Sequence, residues 1–443
     1  MRTYLPMADL QTLTTTDLRA FRERVTTRYD GLRAEGLDLN LGRGKPSPEQ
    51  LDLSSDLLTV LGPRDVFAGD GTDCRNYGGL QGLPEARAFF ASVLGTSADR
   101  LVVAGNSSLE LMHDTVEWAM LRGVAGSQAP WSSAGPATFL CPVPGYDRHF
   151  TICTGFGIRM LPVPLTGSGP DMDVVERLVA ADETIKGIWC VPKYSNPTGE
   201  VYAPAVMERL AKMPTAAPDF RLFWDNAYCE HHLTSERPVL ADMLALCQQA
   251  GHPDRALVFA STSKMTFAGA GVAVFASSPA NVKWLLAQME RRTIGADKLN
   301  QLRHVRFLKD KAGLEALMRR HAAILAPKFT SVDDIFQTWL GGTGVASWSK
   351  PKGGYFVSLD VLVGSARRVI ALAKAAGITV VPAGSTFPNG HDPDDRNIRV
   401  APSFPSLGGV SKAAEGLAVA TLVAATEAML AGRGEAVPIE ATR

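Results

Sequence analysis

The chain has 443 residues, which is more than one hydrophobic core usually holds, so two lobes are expected. Hydrophobic residues make up 46% and charged residues 20% of the chain, as in ordinary soluble globular proteins. Because 45 basic residues balance 45 acidic ones, no surplus of positive charge is left to neutralise nucleic-acid phosphates. No apolar run approaches membrane-spanning length, and Met1–Pro6 do not resemble the start of an export signal. We therefore expect a cytoplasmic protein without nucleic-acid or membrane partners.

The cysteines and the adjacent histidines point to neither disulfides nor a metal centre. The six cysteines show no C-x-x-C spacing and several lie in apolar runs, which is typical of free thiols in a reducing compartment. In Glu230-His231-His232 the two histidine side chains would point apart on a strand or turn, and no H-E-x-x-H spacing exists. The sequence therefore predicts no metal site.

The N-terminal third contains one amphipathic helix and three glycine-rich loops. Thr16 is predicted to cap a helix whose apolar face repeats at three- and four-residue spacing: Leu18, Phe21, Val25, Tyr29 and Leu32. A loop around Gly44 and a second around Tyr77 follow, and Pro84 is expected in the first turn of the next helix. After a short strand at 101–104, residues 105–108 open another helix, where free backbone N–H groups could cradle a phosphate. Alone, that last signal is weak because any helix cap looks similar.

From about residue 137 to 275, short apolar runs alternate with helical stretches. This alternation predicts a mostly parallel sheet covered on both faces, with its functional site beyond the carboxyl ends of the strands. Polar residues follow the apolar runs at these ends: Ser107, Tyr146, Asn196, Asp225, Tyr228 and Lys264. Residues 280–330 are predicted to be helical, later strands and helices form an α+β lobe, and the tail after Gly432 is expected to be loose.

Lys264 occupies an unusual position for a lysine. It follows the apolar run 256–260 and lies among hydroxyl-bearing residues and glycines. Desolvation lowers the pKa of a lysine and makes its amine a nucleophile that can form a Schiff base with an aldehyde cofactor. A surface lysine in a strand-to-loop turn is the alternative explanation, and the segment alone does not decide between them.

Four segments in order resemble the fold type I pyridoxal-phosphate enzymes, in particular the class I/II aminotransferases. They are Ser261-Thr-Ser-Lys264 for S-x-S-K, Asn196-Pro-Thr-Gly199 for N-P-T-G, Asp225-Asn-Ala-Tyr228 for D-x-A-Y, and Asn397-Ile-Arg399-Val400 for the late arginine motif. The phrases KYSNPTGEVY, STSKMTFAGAG and KLNQLRHVRF are similar to a bacterial aspartate aminotransferase subgroup related to MocR-type catalytic domains.

The resemblance implies a fold and a domain organisation. It implies an α/β fold type I transferase, with a large domain containing a mostly parallel seven-stranded sheet and a smaller α+β domain. On this basis we expect an N-terminal segment at 1–50 that contributes to the small domain, a large cofactor-binding domain at 51–325 and a small C-terminal domain at 326–443.

The resemblance also implies roles for the residues around pyridoxal 5'-phosphate. Lys264 would hold the cofactor and act as the base, Asp225 would keep the ring nitrogen protonated, and Tyr146 would stack on the ring. Tyr228 and Asn196 would donate hydrogen bonds to the phenolate oxygen of the ring. The alternatives are a helix cap for Asp225 and an ordinary core or turn tyrosine for Tyr146.

Substrate and phosphate contacts are implied in the same way. Arg399 would bind the substrate α-carboxylate with its bidentate fork, assisted by the backbone of Gly44, and Tyr77 would reach the phosphate of the neighbouring subunit. Further phosphate contacts are expected from Ser107, Ser108, Ser261 and Ser263. The family commonly has an arginine eight positions after the lysine, where this chain has Val272, so Lys298 or Arg303 is expected to supply the missing charge, although both could simply lie on a solvated helix face.

The expected activity is transfer of an amino group from an amino acid, aspartate being favoured, to a 2-oxo acid, 2-oxoglutarate being favoured, by a homodimer with shared sites. One alternative is another reaction of the same cofactor on amino acids, such as β-elimination. A second is a sensor related to MocR regulators, but the segment before Gly44 is short for a winged helix plus a linker.

Overall fold

The computed structural model describes residues 9–133 and 135–435. The predictions for Met1–Pro6 and for residues 436–443 of the tail lie outside these ranges. By their contacts, the described residues form two compact units. The first comprises residues 9–47, 196–199 and 323–435, and the second comprises residues 48–195 and 200–322. The sequence analysis places its boundaries after residues 50 and 325 and does not anticipate that residues 196–199 belong to the first unit.

The helices and strands of the described residues are as follows, in chain order. The helices are α1 Thr15–Ala34, α2 Pro48–Asp52, α3 Pro84–Leu94, α4 Ser108–Arg122, α5 Asp147–Gly155, α6 Met172–Ala181, α7 Pro204–Lys212, α8 Met243–Gln249, α9 Pro279–Met289, α10 Lys298–Leu308, α11 Lys311–Leu340, α12 Ala366–Ala375 and α13 Leu407–Gly432. The strands are β1 Leu39–Asn40, β2 Leu101–Val103, β3 Thr138–Val143, β4 Arg159–Pro164, β5 Ile185–Cys190, β6 Arg221–Asp225, β7 Ala256–Ser261, β8 Ala273–Ala276, β9 Ala346–Trp348, β10 Val357–Val361, β11 Ile378–Thr379 and β12 Asn397–Val400.

The second unit is built on a seven-stranded sheet with the order β2-β8-β7-β6-β5-β3-β4. β8 runs antiparallel to both of its neighbours, and the strands from β7 to β4 are parallel. Helices cross between the parallel strands, as in other α/β sheets. This arrangement confirms the predicted α/β fold with a mostly parallel seven-stranded sheet.

Each face of this sheet is covered by its own apolar core, because successive side chains of a strand point to opposite faces. In β6, Leu222 and Trp224 pack into one core and Phe223 into the other. β7 divides in the same way, with Val258 on the first side and Phe259 on the second. The strands therefore read as continuous apolar runs rather than as alternating ones, which is the composition expected of a sheet buried on both faces.

The first unit contains two small sheets and a group of helices. β9, β10 and β12 form an antiparallel sheet with β10 in the centre, and β1 pairs with β11 in parallel. Helix α13 packs against α1 and α12. The predicted apolar face of α1 is buried as expected, but the cap is Thr14 rather than Thr16, because the Thr14 side chain accepts a hydrogen bond from the Asp17 backbone.

Helix α13 corrects the expectation that no apolar run approaches membrane-spanning length. Its 26 residues are long and apolar enough to cross a membrane by length and composition. Most of the helix is nevertheless buried within the unit. A helix that is apolar on all sides is expected in the core of a large protein as well as in a membrane.

Candidate active site

Two of the predicted site residues end neighbouring strands of the large sheet. Asp225 is the last residue of β6 and Ser261 the last residue of β7, and the two strands are parallel with Asp225 opposite Phe259. Their carboxyl ends therefore meet at one edge of the sheet. Tyr228 lies in the loop that follows β6, and Lys264 lies in the loop that follows β7. This is the edge at which α/β sheets place their ligands.

The Asp225 carboxylate is buried, and in the part of the chain that the structure describes one of its two oxygens has a hydrogen-bond partner. Its Oδ2 atom lies 3.1 Å from Nε2 of His149, and the His149 ring stacks on Trp189 with centroids 4.3 Å apart and planes 7° from parallel. Its Oδ1 atom is also buried and has no hydrogen-bond partner among the described residues. A buried acceptor without a partner is costly, so this oxygen fits a ligand that brings its own N–H donor.

Lys264 is half-buried, and its side chain extends over Tyr228. The Lys264 Nζ atom lies 4.9 Å from the centroid of the Tyr228 ring, and Tyr228 itself is buried. The structure therefore brings two predicted catalytic residues together. The ring face attracts a cationic amine, which gives the lysine a preferred direction.

The predicted phosphate-binding residues lie together at the start of α4. Ser107 caps this helix by accepting a hydrogen bond from the Glu110 backbone at 3.3 Å, and Ser108 is its first residue. The Ser263 hydroxyl donates to the Asn106 carbonyl at 3.2 Å, and Ser261 donates to Ser263 at 3.1 Å. Hydroxyls from the β7 end thus adjoin a helix N-terminus, an arrangement that suits an anion.

Tyr146 and Tyr77 have different surroundings. Tyr146 precedes α5, is half-buried, and meets His149 edge-on with ring centroids 5.0 Å apart. Tyr77 is 84% exposed in the single chain. Its loop is supported from inside by Lys298, whose Nζ donates to the carbonyls of Asn76 at 2.6 Å and Gly78 at 2.7 Å.

The structure gives both candidate phosphate cations other partners. Lys298 is buried under the Tyr77 loop, as just described, and Arg303 donates from Nε to Asn300 Oδ1 at 2.7 Å. Val272, at the position where the family resemblance implies an arginine, is buried, and its carbonyl accepts a hydrogen bond from the Thr262 backbone. The neutralisation of a phosphate by Lys298 or Arg303 therefore stays a prediction.

The adjacent histidines at 231 and 232 have separate partners, as the sequence analysis expects. His231 Nε2 lies 3.3 Å from the Lys264 carbonyl, whereas His232 Nδ1 lies 2.6 Å from the Tyr194 hydroxyl. His232 also faces Glu230, with Nε2 and Oε2 3.5 Å apart. These two rings tie the loop after β6 to two other loops of the second unit.

In the first unit, Gly44 and Arg399 both adjoin the ring of Phe356. The Arg399 guanidinium lies over Phe356, with Cζ 5.0 Å from the ring centroid, and both side chains are buried. A Cβ atom on Gly44 would lie 2.4 Å from Cζ of the same ring, so only glycine fits there. The buried Asn196 belongs to the same unit, and its Oδ1 atom has no hydrogen-bond partner among the described residues.

The sequence analysis missed His149 and Phe356. A signal for His149 was available, because it lies three residues after Tyr146, one helical turn away on the same face of α5. No comparable signal identified Phe356, since an apolar residue at the start of a strand is ordinary core composition.

The chain is similar to known aminotransferases over nearly its whole length. The model of a family described as aspartate amino-transferase matches residues 13–433. A Mycolicibacterium smegmatis protein named as an aminotransferase is 55% identical over 422 residues, which cover 95% of this chain and 99% of that protein. The crystal structure of an aspartate transaminase from Corynebacterium glutamicum is 46% identical, with a TM-score of 0.93, and the match covers 95% of this chain and 99% of that one.

A more distant structure shares the fold. LysN, an α-aminoadipate aminotransferase of Thermus thermophilus solved in complex with N-(5'-phosphopyridoxyl)-L-leucine, is 21% identical with a TM-score of 0.72. The match covers 88% of this chain and 93% of LysN. None of these comparisons tests the resemblance to MocR-type domains, which stays a prediction.

Proposed function

The chain belongs to the aspartate aminotransferase family and is an aminotransferase, and from this premise we propose that its amino donor is aspartate and its acceptor 2-oxoglutarate. The observation that supports aspartate is the relative from Corynebacterium glutamicum, which is named an aspartate aminotransferase and is 46% identical over 429 residues. Both substrates are small molecules with an α-carboxylate, and the buried Arg399 is suited to that group.

The proposed cofactor is pyridoxal 5'-phosphate, and the residues of the second unit fit it. Asp225 Oδ1, which has no hydrogen-bond partner within residues 9–133 and 135–435, suits a protonated ring nitrogen. The α4 N-terminus with Ser107, Ser261 and Ser263 suits a phosphate. When bound, this cofactor supplies an electron sink for the pair of electrons left by the substrate α-proton.

The protein side of the reaction then divides among a few side chains. Lys264 would hold the cofactor through Nζ and would serve as the base that moves the proton at the substrate Cα. Asp225 would keep the ring nitrogen protonated, and His149 contacts this carboxylate at Oδ2. Tyr228 and Asn196 would donate hydrogen bonds to the phenolate oxygen, and Tyr146 would stack on the ring.

We assign the substrate α-carboxylate to Arg399 and the Gly44 backbone. The Phe356 ring adjoins Gly44 and lies beneath the guanidinium, and it restricts where the guanidinium can move. A planar group held in this way loses little freedom when it receives a carboxylate, so its fork remains available for two parallel hydrogen bonds.

We also propose a homodimer in which Tyr77 serves the partner's site. Tyr77 is exposed, but its loop is ordered because Lys298 binds the carbonyls on both sides of it. The loop therefore holds the tyrosine ring outward. A tyrosine carries a large apolar ring and a hydroxyl, a combination that is common at interfaces.

Absorbance spectroscopy tests the proposed reaction. Purified protein is expected to show the visible band of the bound cofactor, to convert to the amine form on addition of aspartate, and to recover the visible band on addition of 2-oxoglutarate. Release of ammonia without the amine form would indicate β-elimination instead.

Borohydride reduction followed by peptide mapping is expected to label Lys264, and a label on another lysine would refute the assignment of the cofactor lysine.

A further inference from the structure

Three buried histidines contact three consecutive residues that begin with Lys264. Each ring uses its Nε2 atom, and each comes from a different part of the second unit: the loop after β6, helix α11 and helix α10. The contacts are His231 with the Lys264 carbonyl at 3.3 Å, His321 with the Met265 carbonyl at 2.9 Å, and His304 with the Thr266 hydroxyl at 2.9 Å.

The remainder of the segment is also held by side chains. Asn300, on the same helix as His304, donates from Nδ2 to the carbonyls of Gly271 at 2.7 Å and Ala270 at 3.2 Å. The Thr262 hydroxyl accepts from the Val272 backbone at 2.9 Å and closes the base of the segment. The backbone between β7 and β8 is therefore fixed at several points although it forms no regular element.

The hydrogen-bond partners define the tautomers of these rings. A carbonyl only accepts, so Nε2 carries the proton in His321, and its Nδ1, 3.0 Å from Gln50 Nε2, accepts from that amide. His304 has the opposite tautomer, with the proton on Nδ1. Its Nδ1 donates to the Asn300 carbonyl at 2.7 Å, and its Nε2 accepts from the Thr266 hydroxyl. Burial lowers the pKa of all three imidazoles, so the rings are neutral and their donor and acceptor roles are fixed.

We propose that His231, His304 and His321 are positioning residues that fix the backbone of residues 264–266 and thereby the direction of the Lys264 side chain. The proposal rests on the proposed function only in taking Lys264 as the cofactor lysine. A buried histidine needs a hydrogen-bond partner, but a carbonyl anywhere in the core would satisfy it. These three histidines instead all contact the proposed cofactor lysine, Lys264, or one of the two residues that follow it. A lysine on a fixed backbone returns to the same place after each displacement by substrate.

Paired substitutions test the proposal, because the amide of glutamine reaches the place of Nε2 and that of asparagine the place of Nδ1. His321→Asn and His231→Asn remove the contacts with the carbonyls of Met265 and Lys264, whereas His321→Gln and His231→Gln can keep them. His252→Asn is the control, since His252 lies between α8 and β7, outside the segment, and is also a histidine whose pKa is lowered by burial.

The readouts are hydrogen exchange of residues 262–272, the rate of cofactor release from the holoenzyme, and the pH titration of the visible cofactor band. We expect each asparagine variant to exchange and to release cofactor about tenfold faster, as for one lost hydrogen bond, and each glutamine variant to stay within about threefold of wild type. The titration midpoint of the band is expected to move in the asparagine variants and to stay in place for His252→Asn.

Two results would overturn the proposal. One is that the asparagine variants match wild type in exchange and release, and the other is that glutamine and asparagine are equally damaging at each site. If an asparagine variant does not fold, Thr266→Val removes the hydroxyl that contacts His304 while leaving the ring, and normal exchange of 262–272 in that variant would equally reject the proposal. Hydrogen exchange does not depend on which lysine borohydride labels, so failure here is separable from failure of the proposed function.

Discussion

At the scale of single residues, Asp225 combines a buried charge with one oxygen that has no partner among the described residues. Asp225→Asn keeps the shape of the side chain but removes the charge opposite the proposed ring nitrogen. We expect kcat to fall by about two orders of magnitude or more, the scale of a lost preorganised electrostatic contact. Steady-state kinetics with aspartate and 2-oxoglutarate measure this loss.

The control for this prediction is His149→Asn, which leaves the carboxylate charge in place and removes only the ring that contacts Oδ2. We expect a smaller loss than for Asp225→Asn, because a positioning contact is removed rather than the charge. Activity of Asp225→Asn within tenfold of wild type would contradict an electron-sink role for Asp225.

The second prediction for a single residue concerns Arg399 and its proposed binding of the substrate α-carboxylate. Arg399→Lys keeps the charge but loses both the bidentate fork and the contact of the guanidinium with the Phe356 ring. We expect the loss of transition-state stabilisation, calculated from the ratio of kcat/KM values, to be roughly 2–4 kcal/mol for donor and acceptor alike, since both present an α-carboxylate. Phe356→Leu is the matched comparison and is expected to cost less, because the guanidinium itself remains. A loss confined to one of the two substrates would place Arg399 at the substrate side chain instead.

At the scale of elements, helices α10 and α11 each place a neutral histidine in the interior. Burial lowers the pKa of His304 and of His321 from 6.5 to about 4. The hydrogen bonds of the two rings to the carbonyls of Asn300 and Met265 oppose this shift, as does Asp297 for His304, while Arg303 and Arg320 add to it. Between about pH 6.5 and about pH 4 these two histidines bind protons in the unfolded chain but not in the folded chain. The free energy of unfolding therefore falls as the pH falls. The effect is about 3 kcal/mol for each ring.

Denaturant unfolding at a series of pH values measures this dependence. The wild-type midpoint is expected to fall steadily through that range, and His304→Gln is expected to flatten the slope whatever it does to stability at neutral pH. His113→Gln, at an exposed position on α4, is the control. Equal slopes for wild type and His304→Gln would contradict the assignment of a depressed pKa to His304.

The same scale shows what the sequence could and could not predict. The buried strands β5, β6 and β7 were predictable because both of their faces are apolar. Strand β4 was not, because it is an edge strand whose sequence Arg-Met-Leu-Pro-Val-Pro carries two prolines and is largely exposed. The site motifs were proposed from their residue types and their order, and their roles stay predictions. The partners of His149 and His231 depend on tertiary contacts that no local pattern contains.

At the scale of the whole molecule, the proposed homodimer can be tested by mixing subunits. Lys264→Ala and Tyr77→Ala are each expected to be inactive. In a mixed dimer one site receives the intact Lys264 chain together with Tyr77 of the other chain, and the second site receives both defects. Activity is therefore expected to reappear on mixing, up to the level of one working site per mixed dimer.

Two controls make this result decisive. Subunit exchange is followed independently with differently tagged chains, and Tyr77→Phe is carried alongside Tyr77→Ala to separate loss of the hydroxyl from loss of the ring. Demonstrated exchange without recovered activity would mean that Tyr77 serves the site of its own chain or none.

The pairing of α1 with α13 has a consequence for synthesis on the ribosome. α1 is the first of the α-helices listed above to be synthesised, and α13 is the last. Because α1 packs against α13, the apolar face of α1, which forms a stripe along the helix, stays uncovered for roughly tens of seconds of translation. Over that interval the stripe is exposed apolar surface of the kind that chaperones cover. A nonsense mutation anywhere before Leu407 would leave this stripe permanently uncovered, so the truncated chain should be cleared by proteolysis even when all four cofactor and substrate motifs have been translated.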